Sequence, residues 1–126
     1  EAIAQVGEKV EMKSAGVVTV KVDADKPWQD TGVRLKKGVT YLITAEGEWS
    51  PGSKSKYKLL SAEGIETKYL ELRAYSLIGQ IEKEIFQLGS STKFEALADG
   101  NLYLRMNDRI FDDNSGTLTV TIRRLK

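Results

Sequence analysis

Six consecutive residues, Thr117-Leu118-Thr119-Val120-Thr121-Ile122, put an aliphatic side chain at every second position and a threonine at each position between. An extended strand turns that order into one apolar face and one polar face, because its side chains alternate sides with a period of two. The pattern recurs in Leu102-Tyr103-Leu104-Arg105-Met106 and in Val18-Thr19-Val20-Lys21-Val22. Thr40-Tyr41-Leu42-Ile43-Thr44-Ala45 is strand-like by its β-branched and aromatic content. Shorter candidates are Val33–Leu35, Tyr57–Leu60, Leu77–Ile81, Ile85–Leu88 and Lys93–Ala96. Turn signals separate them: Lys37-Gly38, Pro51-Gly52, Glu63-Gly64, Gly89-Ser90-Ser91, Asp99-Gly100 and Asn114-Ser115-Gly116. Many short strands with glycine turns predict an all-β sandwich or barrel.

One stretch argues for a different geometry. Lys68 to Glu84 is rich in helix formers, and Leu70, Ala74, Leu77, Ile81 and Ile85 fall at near-helical spacing. Gly79 weakens a long helix there, so the expectation is a short helical turn over Tyr69–Arg73 followed by a strand. Residues 1 to 12 lack sustained alternation and read as an N-terminal arm or an edge strand. The 126 residues contain no internal repeat and no low-complexity linker, which fits one domain over 1–126.

Composition removes most enzyme chemistry. With no His and no Cys there is no Ser-His-Asp triad, no cysteine nucleophile and no zinc site of the usual kind. Nineteen Lys plus Arg against 18 Asp plus Glu leave a net charge of +1, which gives no electrostatic reason to expect nucleic acid or an anionic membrane surface. No apolar run reaches membrane-spanning length, so membrane insertion is not expected. Glu1-Ala2-Ile3-Ala4-Gln5 carries neither an initiator Met nor a signal-peptide core.

The segment richest in chemistry is Asn107-Asp108-Arg109-Ile110-Phe111-Asp112-Asp113-Asn114-Ser115-Gly116, between two well-patterned strands. Calcium takes about 6–8 oxygen ligands from carboxylates, amides and carbonyls. In a tight turn Asp113 and Asn114 can converge on one ion, with Asp108 closing from the other side. The same residues are also what any surface hairpin uses, and the acidic spacing does not match an EF-hand loop.

Other constellations carry less. Glu46 and Glu48 flank Gly47 and could supply the two carboxyls of a glycosidase, but such pairs are common on solvated sheet faces. Gly47 to Ser55 resembles a phosphate loop only until Ser53 separates Gly52 from Lys54. Lys54, Lys56 and Lys58 alternate and read as a solvated face. Trp28, Trp49, Tyr57 and Tyr103 are able to stack on a sugar ring; Trp28 and Trp49 read better as core anchors.

Several segments together resemble the PA-IL-like calcium-dependent galactose-binding lectins and related bacterial carbohydrate-binding domains. They are Trp28-Gln29-Asp30-Thr31-Gly32-Val33, Gly38 through Ala45-Glu46-Gly47-Glu48-Trp49, Ser76-Leu77-Ile78-Gly79-Gln80-Ile81 and Phe94-Glu95-Ala96. Gly100-Asn101-Leu102-Tyr103-Leu104 through Asn107-Asp108 and Asp113-Asn114-Ser115-Gly116 complete the series, in matching order from about Val17 to the C-terminus. The resemblance implies a jelly-roll β-sandwich, galactose-binding-domain-like, with Ca2+ in the loops at one end. It implies that Asp108, Asp113 and Asn114 hold the ion with two backbone carbonyls, one from residues 109–112 and one near Pro51–Gly52. Two sugar hydroxyls would then join the ion, in a subsite shaped by Trp49, Ser50, Pro51, Arg109 and Asp112 together with Asp108 and Asp113. The departures are a shorter loop, an Asp-Asn pair in place of two amides, and no counterpart to the family's sugar-contacting His.

The resulting expectation is a non-catalytic, calcium-dependent carbohydrate-binding module with a galactose-like ligand, secreted or periplasmic. The alternative is a structural or protein-interaction sandwich in which calcium only stiffens a loop.

Overall fold

The alternating segments become strands in the computed structural model, which describes residues 10–11, 16–52 and 55–125. Among those residues the elements are all β: β1 (Val10–Glu11), β2 (Val17–Asp23), β3 (Gln29–Leu35), β4 (Thr40–Glu46), β5 (Trp49–Ser50) and β6 (Lys68–Tyr69). They continue with β7 (Leu72–Arg73), β8 (Leu77–Ile81), β9 (Glu84–Gln87), β10 (Ser91–Glu95), β11 (Gly100–Met106) and β12 (Ser115–Leu125).

One sheet is ordered β1-β3-β11-β8-β9 and the other β10-β4-β12-β2, with β5 paired to the start of β12. Pairing is antiparallel throughout except between β1 and β3, where Val10 lies beside Val33 and Glu11 beside Arg34. Part of the segment expected to be an arm or edge is thus an edge strand; residues 1–9 and 12 lie outside the described residues.

The two clearest sequence patterns supply the two faces of the core. Leu102, Leu104 and Met106 of β11 are buried, as are Leu118, Val120 and Ile122 of β12, and all six belong to one apolar cluster. Trp49 and Tyr41 are its largest fully buried members, and the Tyr41 hydroxyl accepts a 2.9 Å hydrogen bond from the Lys36 amide. Burying one such aliphatic side chain is worth about 1.5–3 kcal/mol, so alternation at these positions decides which face points inward. The result is a jelly-roll β-sandwich.

The helical turn expected over Tyr69–Arg73 is not formed. Lys68 pairs with Arg73 and Tyr69 with Leu72, and the two residues between them, Leu70 and Glu71, have φ of 55° and 71°. Left-handed φ at both central residues is the geometry of a tight hairpin turn. The apparent helical spacing has a simple origin: Leu77 and Ile81 are four apart, and four is also a multiple of the strand period, so both face the core from β8. Of the expected Tyr57–Leu60 strand only Leu60 is paired, bridging Trp49 through bonds of 2.9 and 2.8 Å.

Candidate functional site

β11 delivers Met106 into the core and then releases the chain into the loop that returns as β12. Asp108 opens this loop: its Oδ1 accepts from the amides of Arg109 at 2.6 Å and Ile110 at 3.3 Å, which holds the carboxylate at the loop's entrance. The loop closes where the Asn114 amide donates to the Phe111 carbonyl at 3.0 Å. Arg109 and Asp112 stand exposed at its tip, beside Ile110.

Asn114 is buried, not presented to solvent. Its Nδ2 donates to the Ala24 carbonyl at 3.0 Å and approaches Met106 Sδ at 3.4 Å. Its Oδ1 is enclosed and has no hydrogen-bond partner. An enclosed amide oxygen with nothing donating to it costs about 1–3 kcal/mol unless something electropositive completes it.

The neighbouring Asp113 carboxylate packs on the turn after β5. A Cβ placed on Gly52 would press on the carboxylate end of the exposed Asp113 side chain, which can swing aside, whereas the φ of +134° is what favours glycine there. The Gly52 amide donates to Ser50 Oγ at 3.2 Å, and its carbonyl accepts from the Ser55 amide at 3.1 Å, which leaves a second lone pair on that oxygen. Ser50 and Pro51 are both buried under this turn.

Tyr75 stands within electrostatic reach of both loop carboxylates. Burial raises its phenol above the usual tyrosine range, and Asp108, Tyr57 and Asp113 push it the same way. Both loop carboxylates therefore act on one hydroxyl. Tyr75 packs against Tyr57 with ring centroids 6.1 Å apart, and its carbonyl accepts the indole N–H of Trp49 at 3.0 Å. Trp49 is fully buried, so it contributes position to the site and not a ring face. A cleft of about 280 Å³ adjoins, lined by Thr67, Lys68, Tyr69, Tyr75, Asp108 and Arg109 among others.

Two further residues fix the walls. Asn107 is buried, and its Nδ2 lies 2.9, 3.2 and 3.0 Å from the carbonyls of Tyr69, Leu72 and Arg73, which pins the β6–β7 hairpin beside the loop. The Arg105 guanidinium sits between Trp28, 4.5 Å from that ring's centroid, and Phe111, at 5.5 Å. Trp28 is accordingly a half-buried stacking partner for Arg105 and not a core anchor.

Of the sequence-derived ligands, Asp113 lies against Gly52, Asp108 turns its Oδ1 to the amides of its own loop, and Asn114 is buried beside Ala24 and Met106. Among the described residues no group of three or more carboxylate, His or Cys side chains converges, although the loop carries Asp108, Asp112 and Asp113. Glu46 and Glu48 take no part. Both are exposed, and Gly47 between them at φ +108° interrupts the alternation that would have put them on one face. Asn107 stood in the oxygen-rich segment without an assigned role; Tyr75 and the Thr67–Tyr69 wall were not legible beforehand, and only the cleft they share with Asp108 marks them.

The class of protein comes from comparison with solved structures, which places this all-β sandwich among lectin domains. The N-terminal domain of EclA, a PllA-like lectin, superposes with a TM-score of 0.74 at 31% identity, over 86% of this chain and 97% of that one. The chain belongs to the PllA-like lectins. The resemblance to PA-IL-like proteins is thereby supported at the level of a lectin-like family and not for the galactose-binding group in particular. No protein-family model and no curated protein sequence matches the chain.

Proposed function

We propose that the chain is a non-catalytic carbohydrate-binding module whose ligand site is completed by calcium. One observation carries the reading: the enclosed, unpartnered Oδ1 of Asn114, at the same end as Asp108 and as Asp113 on Gly52. The donor set fits a hard cation, since carboxylates, an amide oxygen and backbone carbonyls are the ligands calcium prefers. Asp108, Asp113, Asn114 and the carbonyl of Gly52 would hold the ion, with a further carbonyl from the 109–112 loop. When bound, calcium supplies open coordination positions for sugar hydroxyls and offsets the repulsion between the two carboxylates.

The chain's own groups do the rest. Asp108 and Asp113 accept hydroxyl protons, Tyr57 offers an apolar ring face, and Thr67, Lys68 and Arg109 donate along the cleft wall. A galactose-like sugar with vicinal hydroxyls is the proposed ligand. The site is shallow and polar, so affinity per site is modest and function leans on several sites acting together. A secreted or periplasmic location goes with this reading, since extracellular calcium modules work at Kd of about 10⁻⁴–10⁻³ M.

Isothermal titration with calcium and then a monosaccharide panel tests the proposal. Calcium-dependent heat with at least one sugar, together with a melting temperature raised by calcium, is the expected result. Calcium binding without any sugar heat would favour the protein-interaction alternative, and no response to either would overturn both parts.

A further inference from the structure

The sheet that holds β11, β8 and β9 has a second face, turned away from the core. Arg105 pairs with Ile78 and Ile78 with Gln87, and they alternate with Met106, Leu77 and Phe86, which pack into the core. Ile85 stands two positions before Gln87 and so shares this outer face. Ile78 is buried without belonging to the core cluster. The β6–β7 hairpin reaches over it, with the Arg73 amide donating to Gln87 Oε1 at 2.9 Å. A cleft of about 190 Å³ opens there, lined by Leu70, Glu71, Leu72, Ile78, Ile85 and Arg105. Its lining has only Asn107 in common with the cleft beside Asp108.

The lining joins aliphatic walls to one fixed cation. Leu70 is 66% exposed and Ile85 45%, so apolar surface is left in water here. The Arg105 guanidinium is stacked on Trp28 and Phe111, which covers its flat faces and leaves the N–H groups in its plane as the directions for hydrogen bonding. Its Nε–H is enclosed with no acceptor, and among the described residues no carboxylate lies within ion-pair distance of this side chain. Burial pulls the guanidinium below the usual arginine range, and Tyr69 and Asp108 counter that. Glu71, the other charged group of the lining, is exposed at the hairpin turn.

We propose that this cleft is a second ligand site, independent of calcium, for a carboxylate carried on a short aliphatic chain. The chain would lie against Leu70, Leu72, Ile78 and Ile85, and the carboxylate would meet the open edge of the Arg105 guanidinium. Charge argues for the anion: a planar guanidinium fork matches a carboxylate with two parallel hydrogen bonds, and stacking holds this one ready before any ligand arrives. The walls argue for an aliphatic body, because both rings beside Arg105 are already engaged by its guanidinium. Size agrees, since a cavity of about 150 Å³ accommodates benzene and this one has room for a chain of about six carbons.

The test is a methyl and arginine side-chain NMR titration of the whole chain with hexanoate, 1-hexanol and hexylammonium, each with and without a calcium chelator. Saturable shifts of the Leu72, Ile78 and Ile85 methyls and of the Arg105 Nε–H are expected with hexanoate, unchanged by chelation. Binding should be about tenfold weaker for the alcohol, the scale of a charge-assisted hydrogen bond, and weaker still for the ammonium. Arg105→Gln should bring hexanoate down to the level of hexanol. That variant also loses the stack on Trp28 and Phe111, so the exposed Glu71→Gln provides a second reading: losing its repulsion should tighten hexanoate by about twofold and leave hexanol unchanged. No saturable shift at these methyls, or equal binding of hexanoate and hexylammonium, overturns the proposal. Shifts confined to Asp108–Asn114 would do the same. Because no arm requires sugar or calcium, failure here leaves the lectin reading untouched.

Discussion

Asp113 and Gly52, 61 positions apart in the chain, fit together so closely that a single methyl group on Gly52 would sit 2.4 Å from the Asp113 carboxylate oxygen. The contact sets the turn after β5 against the end of the β11–β12 loop, where the proposed site would draw on a carbonyl and a carboxylate.

Gly52→Ala should be costly through the backbone. At φ +134° an alanine is strained, and its Cβ obliges the exposed Asp113 side chain to swing aside. A loss of about 1–3 kcal/mol is expected from the backbone alone, read as a lower urea midpoint. Calcium stabilisation should fall in the same variant, measured as the change in melting temperature on adding the ion. A melting curve like that of the parent would mean the turn relaxes freely.

Asn114→Ala removes both the donor to the Ala24 carbonyl and the unpartnered oxygen. Loss of the hydrogen bond should cost about 1–2 kcal/mol without calcium. The larger effect should appear with calcium: the parent gains stability as RT ln(1 + [Ca]/Kd), and the variant should gain little. Equal calcium-induced shifts in the two proteins would remove Asn114 from the ligand set.

Asn107→Ala frees the carbonyls of Tyr69, Leu72 and Arg73 from their shared donor. The β6–β7 hairpin, whose turn holds two non-glycine residues at positive φ, should then open locally. Faster amide exchange at residues 68–73 than at β11 is the expected signature, along with weaker sugar binding through the lost wall.

Acid stability should carry a contribution from Glu63. Its carboxylate accepts from the Ser90 hydroxyl and amide at 2.5 and 2.7 Å, and these bonds, with Arg73 nearby, hold its pKa below the usual 4.5. A folded value below the unfolded one stabilises above pH 4.5, and the contribution disappears as pH falls through the folded value. Glu63→Gln should thus be less stable than the parent at neutral pH and converge with it in acid, as followed by urea midpoints across pH 2–7. A constant difference would show that the carboxylate's ionisation is not what matters.

The contrast between what was legible and what was not follows from range. Leu77–Ile81 and the Leu102–Met106 and Thr117–Ile122 alternations are local patterns, and each lies within its strand in the structure. Asp108, Asp113 and Asn114 were visible as an oxygen-rich loop, yet the burial of Asn114 depends on Ala24, 90 residues away. The hairpin at Lys68–Arg73 was misread as helical because Leu70 and Glu71 carry no glycine or asparagine to announce positive φ. Its conformation is set from outside, by Asn107. Trp28 was misread for a similar reason: nothing near it in the sequence shows that Arg105 of β11 will lie over its ring.

That Trp28–Arg105–Phe111 stack has a further consequence. Phe111 is anchored through Arg105, and Asp108 and Asn114 are anchored by backbone amides and by Ala24, so the loop is nailed at three points. Arg109, Ile110 and Asp112 between those points are exposed. They form an interchangeable fingertip: under the proposed function its side chains could be rewritten to greet different sugars while the anchored remainder of the loop keeps its shape.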